Sequence, residues 1–290
     1  MAKSNIILGS VQFGKTYGIN NQFGKPDSDR LRSILNCAYD SGVRIIDSAE
    51  NYGDALSRIG DYHNSNHRNF EVISKFDPST YEGERITERI GRNLHLLKLD
   101  NFYSYMFHSF EDYRKYYPEF SDELNRLKDK GIVQRIGVSL YTNQEISKVL
   151  TFDNLDLIQA PFNLLDNSNK REEAFSCAKK KGMEIHARSV FFQGLFFKDI
   201  KSIRGNLIEL SPYLMKLKQM EKGDVKIEDL ALNYALTRDY IDKVIIGVDS
   251  LFQLKSNLSN CNKRIPSKCF DEIDAIKVKE LELLNPMNWK

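Results

Sequence analysis

The 290-residue sequence predicts an α/β fold in which eight parallel strands close into a barrel wrapped by helices, a (β/α)8 barrel. Three observations lead there. Short apolar runs alternate with longer amphipathic stretches, the pattern of repeated β-α units. Those runs number eight. The length, large for one ordinary domain, is ordinary for a barrel of this kind. With 41% hydrophobic and 28% charged residues, the chain can build a large core under a charged exterior. The expectation is one domain over 1–290, with no linker, low-complexity tract or short-period repeat dividing it.

The strands start with NIILG at 5–9; VRIID at 43–47 and FEVIS at 70–74 follow with the same β-branched and aromatic weight. NFYSYMF at 101–107, RIGVS at 135–139, LDLIQA at 155–160, MEIHA at 183–187 and KVIIG at 243–247 complete the set. A first helix is expected over 27–42: Pro26 and Ser28 mark its start, Leu31, Ile34, Leu35 and Ala38 form one apolar stripe, and Gly42 stops it. Residues 84–97 and 122–131 repeat this design, and KIEDLALNYALT over 226–237 is a further helix. Between the seventh and eighth strands, 191–223 reads as an elaborated loop plus a helix, the kind of excursion that covers active sites. The amphipathic tail over 267–284 reads as an additional C-terminal helix that closes the barrel.

Charge narrows the partners. Lys plus Arg number 42 against 40 Asp plus Glu, so no strong field draws the chain to nucleic acid or to an anionic membrane. Lys179, Lys180 and Lys181 fall where a helix ends and suit its C-terminal dipole. MAKSNIILGS carries an apolar run too short for a signal peptide, and no later stretch is long enough to span a bilayer. Cys37, Cys177, Cys261 and Cys269 show no C-x-x-C spacing, which fits a reducing cytoplasm.

Asp47, Tyr52, Lys75 and His108 lie at or just past the ends of the second, third and fourth strands, so a parallel barrel would gather them at the face where barrels build active sites. Each alone has an ordinary explanation: Asp47 as a helix cap, Tyr52 as packing, Lys75 as a snorkelling stem, His108 as a structural histidine. Four together on successive strand ends point to chemistry. A phenol with a pKa of about 10 is a poor acid near neutrality. Lys75 is therefore expected to lower it, with Asp47 holding the lysine by an ion pair. His108 would aim a ring N–H at a carbonyl oxygen while Tyr52 delivers a proton to the same atom. The set suggests reduction of a carbonyl.

DSAENYG, Asp47 to Gly53, resembles the D-x-A-x-x-Y-G signature of the aldo-keto reductases, and VISKF and MFHSF match that family's lysine and histidine segments at Lys75 and His108. The resemblance spans nearly the whole chain. LGSVQFGKTYG and RSVFFQGL are most similar to a branch associated with bacterial sugar and surface-glycan metabolism. The resemblance implies a TIM barrel, a small carbonyl substrate, and NADP or NAD as the hydride source. It casts Tyr52 as general acid, tuned by Lys75 and Asp47, with His108 orienting the carbonyl. The nicotinamide carboxamide would meet Ser139 in GVSLY and Gln159 in LIQAPFNLL, since a planar amide needs both a donor and an acceptor. The family's usual Ser-Asn pair is Ser139-Leu140 here, and Leu140 cannot hydrogen-bond. IIGVDSLFQLKSN resembles the diphosphate and adenosine segment: Gly247, the backbone amides of Val248, Asp249 and Ser250 at a helix start, then Gln253 and Asn257. Many members carry basic residues where this chain has Asp249 and Gln253. A carboxylate repels a 2′-phosphate and accepts from a free ribose hydroxyl, which keeps NAD beside NADP, with Lys255 nearby as a compensating cation.

Two other classes compete. A metal-dependent barrel hydrolase or isomerase would need a ligand cluster such as H-x-H, which the sequence lacks. The fold also survives as a nicotinamide-binding regulatory subunit without turnover. GSVQFGKT at 9–16 satisfies the phosphate-loop pattern, but such a loop runs straight into a helix, and Thr16 is followed by the turn-rich YGINNQFGKPD. Gly14, Lys15 and Thr16 are instead expected to approach cofactor or substrate. His63 and His67, among Asn64, Ser65 and Asn66, read as surface residues of a polar loop, and His186 as an interior or rim histidine. Candidate substrate contacts are Phe13, Tyr17, Phe76, Phe110, Phe162, Arg188, Phe191 and Phe192, with Arg188 suited to a carboxylate or phosphate or to a structural ion pair.

Overall fold

Each apolar run of the sequence overlaps one strand of a closed parallel barrel, the third, sixth and seventh strands running one or two residues further than expected. A computed structural model describes residues 2–21, 23–66 and 68–290. Strands β1 (Ile6–Gly9), β2 (Ile45–Asp47), β3 (Glu71–Phe76), β4 (Ser104–Phe107), β5 (Ile136–Ser139), β6 (Leu157–Pro161), β7 (Glu184–Arg188) and β8 (Lys243–Ile246) pair in chain order, and β8 returns to β1. The helices are α1 (Val11–Gly14), α2 (Ser28–Asp40), α3 (Ala55–Asn66), α4 (Ile86–Leu97), α5 (Phe110–Asp129), α6 (Asn143–Val149), α7 (Ser168–Lys180), α8 (Ser211–Gln219), α9 (Ile227–Leu236), α10 (Leu251–Asn260) and α11 (Ser267–Asp274). Their starts follow capping chemistry: the side chains of Asp27, Ser109, Thr142 and Ser250 accept backbone amides at the heads of α2, α5, α6 and α10.

Side-chain alternation along the strands sorts the core into two layers. Ile7, Ile45, Ile73, Tyr103, Met106, Leu157 and Ile245 fill the barrel interior. Leu8, Ile46, Val72, Phe107, Val138 and Ile158 belong to the larger cluster between barrel and helices. The same period of two places the polar residues. Two positions beyond the interior Ile45, Ile73 and Leu157, towards the C-terminal mouth, stand Asp47, Lys75 and Gln159. Apolar residues thus close the barrel below, and polar ones take the last inward position.

Several expectations are corrected. The helix expected over 122–131 is the second half of α5, which starts at Phe110 and runs through Pro118. The tail expected as one helix over 267–284 stops being α-helical at Asp274 and resumes as a 3-10 turn at Leu281–Leu284. Ile273, Ile276, Leu283 and Leu284 are buried, so the apolar stripe survives without a continuous helix. His63 is not in a polar loop: it lies on α3, buried, with Nδ1 2.8 Å from the Leu97 carbonyl and Nε2 accepting the Phe70 amide at 3.2 Å. Burial lowers its pKa, in keeping with a neutral ring that donates on one side and accepts on the other. His67 lies outside the described residues. After β7 the chain makes three 3-10 turns, Phe192–Phe197, Ile200–Ser202 and Gly205–Leu210, before α8, which is the elaborated excursion read from the sequence.

Candidate active site

The C-terminal mouth of the barrel opens into a cavity of about 640 Å³, with Asp47, Tyr52, His108, Ser139 and Gln159 on its walls and α10 along one side. At its base Lys75, 1% exposed, donates to both Asp47 oxygens at 2.7 and 2.8 Å and to the Ser48 carbonyl at 2.9 Å. All three ammonium protons are therefore spent. Gln159 Nε2 donates to Asp47 Oδ1 at 2.8 Å. Lys75 Nζ lies 5.4 Å from the centroid of the Tyr52 ring without bonding its hydroxyl.

This geometry reverses one expectation. Burial, followed by the Asp47 carboxylate, pushes the Tyr52 hydroxyl well above its ordinary pKa of 10.0. The ammonium does not acidify the phenol: its donors are spent on oxygens, and the neighbouring carboxylate charge disfavours the phenolate. Tyr52 therefore keeps its proton at neutral pH. Burial also pulls Lys75 down from its ordinary value, against the opposing pull of Asp47. His108 meets Tyr52 edge-on, ring centroids 5.9 Å apart. Burial first, then the Lys75 charge, lowers His108 to about 4, so its ring is neutral, and its buried Nδ1 has no protein partner.

A network not singled out from the sequence, and Gly14, which packs on the Tyr52 turn and is outside the cavity lining, hold Tyr52 in place. Glu50, in the same turn, accepts Arg89 Nε at 2.8 Å and Nη2 at 2.6 Å, Tyr105 Oη at 2.6 Å and the Asp77 amide at 2.8 Å. Its own amide bonds the Lys75 carbonyl at 3.1 Å, so this buried network ties the turn to β3 and α4. On the other side Gly14 packs so closely that a Cβ there would stand 1.6 Å from the Tyr52 carbonyl oxygen. Gly53 answers it with φ +60, where a Cβ would meet Gly14 O at 2.5 Å.

Along the cleft, Ser139 and Gln159 are register partners on β5 and β6 and both face the cavity. Leu140 is fully buried in the helix layer, and Tyr141 after it reaches the cavity. Gly247, Asp249, Gln253 and Asn257 line the far wall, whereas Val248 is 1% exposed and Ser250 caps α10. One amide expected to face phosphate is occupied: Asp249 N donates to Gln253 Oε1 at 2.7 Å. Burial raises the Asp249 carboxyl, opposed by Gln253 and Gln12. Gln12 lies against Gly247 so closely that a Cβ there would be 2.6 Å from its Nε2. Lys255 is exposed and outside the cavity lining.

In the loop after β1, Lys15 Nζ donates to the Asn51 carbonyl at 3.0 Å and sits 5.7 Å over the Tyr52 ring. Thr16 is exposed and the next helix begins only at Ser28, so no helix N-terminus backs the phosphate-loop pattern. Gln193 Nε2 donates to Tyr17 Oη at 2.8 Å and Ile19 N to Gln193 O at 3.2 Å, tying the loops after β1 and β7 together across the mouth. Three of the four non-glycine residues with positive φ among the described residues, Ser189, Phe192 and Gln193, fall in this second loop, a concentration of strain typical of ligand-binding segments.

Of the candidate substrate contacts, Tyr17, Arg188 and Phe191 reach the cavity. Phe13, Phe76, Phe110, Phe162 and Phe192 do not; all are buried in the outer core. Strand parity explains two of them. An inward Lys75 turns Phe76 outward onto Tyr81, Tyr116 and Phe120. Phe162, past the inward Gln159, stacks on Tyr234 at 5.2 Å. His186 is fully buried in the barrel, its Nε2 3.0 Å from Glu184. Among the described residues, no three His, Cys, Asp or Glu side chains gather as a metal-ligand group, and no helix is long and apolar enough to cross a membrane.

Comparison with known proteins gives the family and the fold. The sequence model of the Aldo/keto reductase family matches residues 5–278. The chain is similar to a D-threo-aldose 1-dehydrogenase from Pseudomonas sp, at 23% identity over 94% of this chain and 95% of that protein. It is similar also to an NADH-specific methylglyoxal reductase from Escherichia coli, at 22% identity over 68% and 64%. Among solved structures, the holo form of an aldo-keto reductase from Bacillus halodurans superposes with a TM-score of 0.77 at 20% identity, covering 96% of this chain and 94% of that one. The chain belongs to the aldo/keto reductase family and is an NAD(P)H-dependent oxidoreductase.

Proposed function

We propose that this oxidoreductase reduces an aldehyde or ketone of sugar-like character to an alcohol, with Tyr52 as proton donor and NADH favoured over NADPH. The observation that carries the reading is geometric: in the mouth of the barrel the Tyr52 ring meets the His108 imidazole edge-on and lies 5.4 Å from the ammonium of the buried Lys75–Asp47 pair. The cleft also fits a nicotinamide dinucleotide: Ser10 Oγ, Gln12 Oε1 and His108 Nδ1 are buried polar atoms with no protein partner. Ser139 and the Oε1 of Gln159, whose Nε2 is spent on Asp47, would hold the carboxamide. Asp249 would accept a ribose hydroxyl.

When bound, the reduced nicotinamide supplies the hydride. Tyr52 Oη gives its proton to the carbonyl oxygen as negative charge develops there, and His108 donates an N–H to the same oxygen. Having lost its proton, the phenolate faces the Lys75 ammonium across 5.4 Å, measured to the ring centroid, with Asp47 holding that ammonium in place. In the reverse direction the same atoms oxidise an alcohol.

The cofactor preference rests on the α10 wall: Asp249, Phe252, Gln253, Ser256 and Asn257 include a carboxylate and no cation to meet a 2′-phosphate. A sugar-like substrate is supported by the amide side chains of Asn20 and Asn51 at the mouth, which suit a polyhydroxylated molecule, and by relatives named as D-threo-aldose and D-arabinose 1-dehydrogenases. Oxidation of NADH and NADPH, followed with free aldoses and simple aldehydes, tests it. NADH is expected to give a kcat/KM about tenfold or more above NADPH, the scale of one repelled charge. Equal values would remove the cofactor preference, and failure to bind either dinucleotide would remove the reading itself.

A further inference from the structure

We infer that the mouth of the barrel contains a subsite for an anionic substituent of the substrate, a carboxylate or a phosphate, centred on Arg188 and flanked by Lys15. The inference rests on the reductase reading above and adds a substrate class to it. Arg188 ends β7, and its guanidinium lies 4.2 Å over the Tyr141 ring. Among the described residues its side-chain hydrogen bonds are two long ones, 3.3 Å to Ser189 Oγ and 3.3 Å to the Leu140 carbonyl, and its Nε is buried with no partner. Elsewhere in the protein buried guanidiniums are matched: Arg89 pairs with Glu50 at 2.6 Å and Arg171 with Asp166 at 2.6 Å. Among the described residues neither Arg188 nor Lys15 has a carboxylate within the 4.0 Å of an ion pair.

A half-buried cation without a counter-ion is costly, and the planar fork of arginine suits a bidentate carboxylate or phosphate. Stacking on Tyr141 fixes the plane of that fork. The position selects the substrate as the source of the anion. Arg188 lines the same cavity as Tyr17, Tyr52 and His108, and its charge opposes the rise of both tyrosine hydroxyls. Lys15, over the Tyr52 ring, adds a second positive charge to the same cavity. Asp47, a carboxylate of the same cavity, is already engaged by Lys75 and Gln159.

The test compares wild type with Arg188→Gln on matched pairs: succinic semialdehyde against butanal, and glyceraldehyde 3-phosphate against glyceraldehyde, with NADH. The preference for the anionic member of at least one pair is expected to fall about 10- to 100-fold in the variant, the scale of a lost charge-assisted hydrogen-bond pair. NADH affinity, read by fluorescence, is expected to change less than about threefold. Weakened NADH binding with an unchanged preference would assign the arginine to the cofactor's phosphates and overturn the proposal. Arg188→Lys, which keeps the charge and loses the fork, is expected to retain part of the preference, so a fold defect in one variant does not decide the matter. Titration of the wild-type NADH complex with acetate and with inorganic phosphate reads the subsite without turnover. Binding of either one, weakened in Arg188→Gln, supports the subsite even if no aldehyde is reduced, in which case the reductase reading falls alone. Failure of both anions to bind overturns the subsite.

Discussion

Replacing Lys75 with Met strands a buried carboxylate. The side chains of Lys75 and Asp47 are 1% and 6% exposed, so water cannot take over the lost partner, and Asp47 would keep only Gln159 Nε2 at 2.8 Å. Removing one member of such a pair costs about 3–5 kcal/mol. At roughly 2–4 °C per kcal/mol for large domains, Tm should fall by about 6–20 °C. Adding Asp47→Asn removes the stranded charge, and the double variant is expected to regain at least about half the loss. Lys75 is, after burial, the largest influence lowering His108, so its removal should raise the His108 pKa from about 4, which NMR titration would detect. Urea unfolding at neutral pH, followed by circular dichroism, measures the stability change. A loss under about 1 kcal/mol, the size for a solvated surface pair, would refute the claim that this ion pair is dry.

His108 gives the fold a pH dependence. Its native pKa of about 4 lies below the ordinary 6.5. Between those values the unfolded chain binds a proton that the native one refuses. Its contribution is therefore complete above about pH 6.5 and is lost as pH falls towards about 4, worth about 3 kcal/mol in all. Urea midpoints at pH 7 and 4.5 for wild type and His108→Gln check this; equal pH slopes would contradict it. Gly14→Ala sets a Cβ 1.6 Å from the Tyr52 carbonyl and 2.8 Å from the Ala55 amide, both backbone atoms. It should cost roughly 3 kcal/mol or more and depress turnover through a displaced Tyr52. Wild-type stability together with wild-type kcat would show that this contact is not tight.

The strands were legible because each is an apolar run bounded by turn formers, and the set at the mouth because its members sit at or just past strand ends. Helix α5 was only half legible, since Pro118 reads as a stop. The helix accepts it by giving up one amide bond while Ser109 caps the true start. His63 had no local signal; its partners Leu97 and Phe70 are brought in by the fold. The outward direction of Phe76 was available in the sequence, because an inward Lys75 fixes it through strand parity. Glu50 sat inside the signature, but its partner Arg89 is 39 positions away and nothing local links them. The direction of the Tyr52 shift was unreadable for a similar reason. Sequence names an ammonium as neighbour but not which oxygens receive its protons.

The central claim is that the Tyr52 hydroxyl delivers the proton. Tyr52→Phe removes one oxygen and leaves the ring, so NADH binding and stability should stay close to wild type while carbonyl-dependent NADH oxidation falls about 10²- to 10⁴-fold. An unchanged rate in that variant would contradict the account.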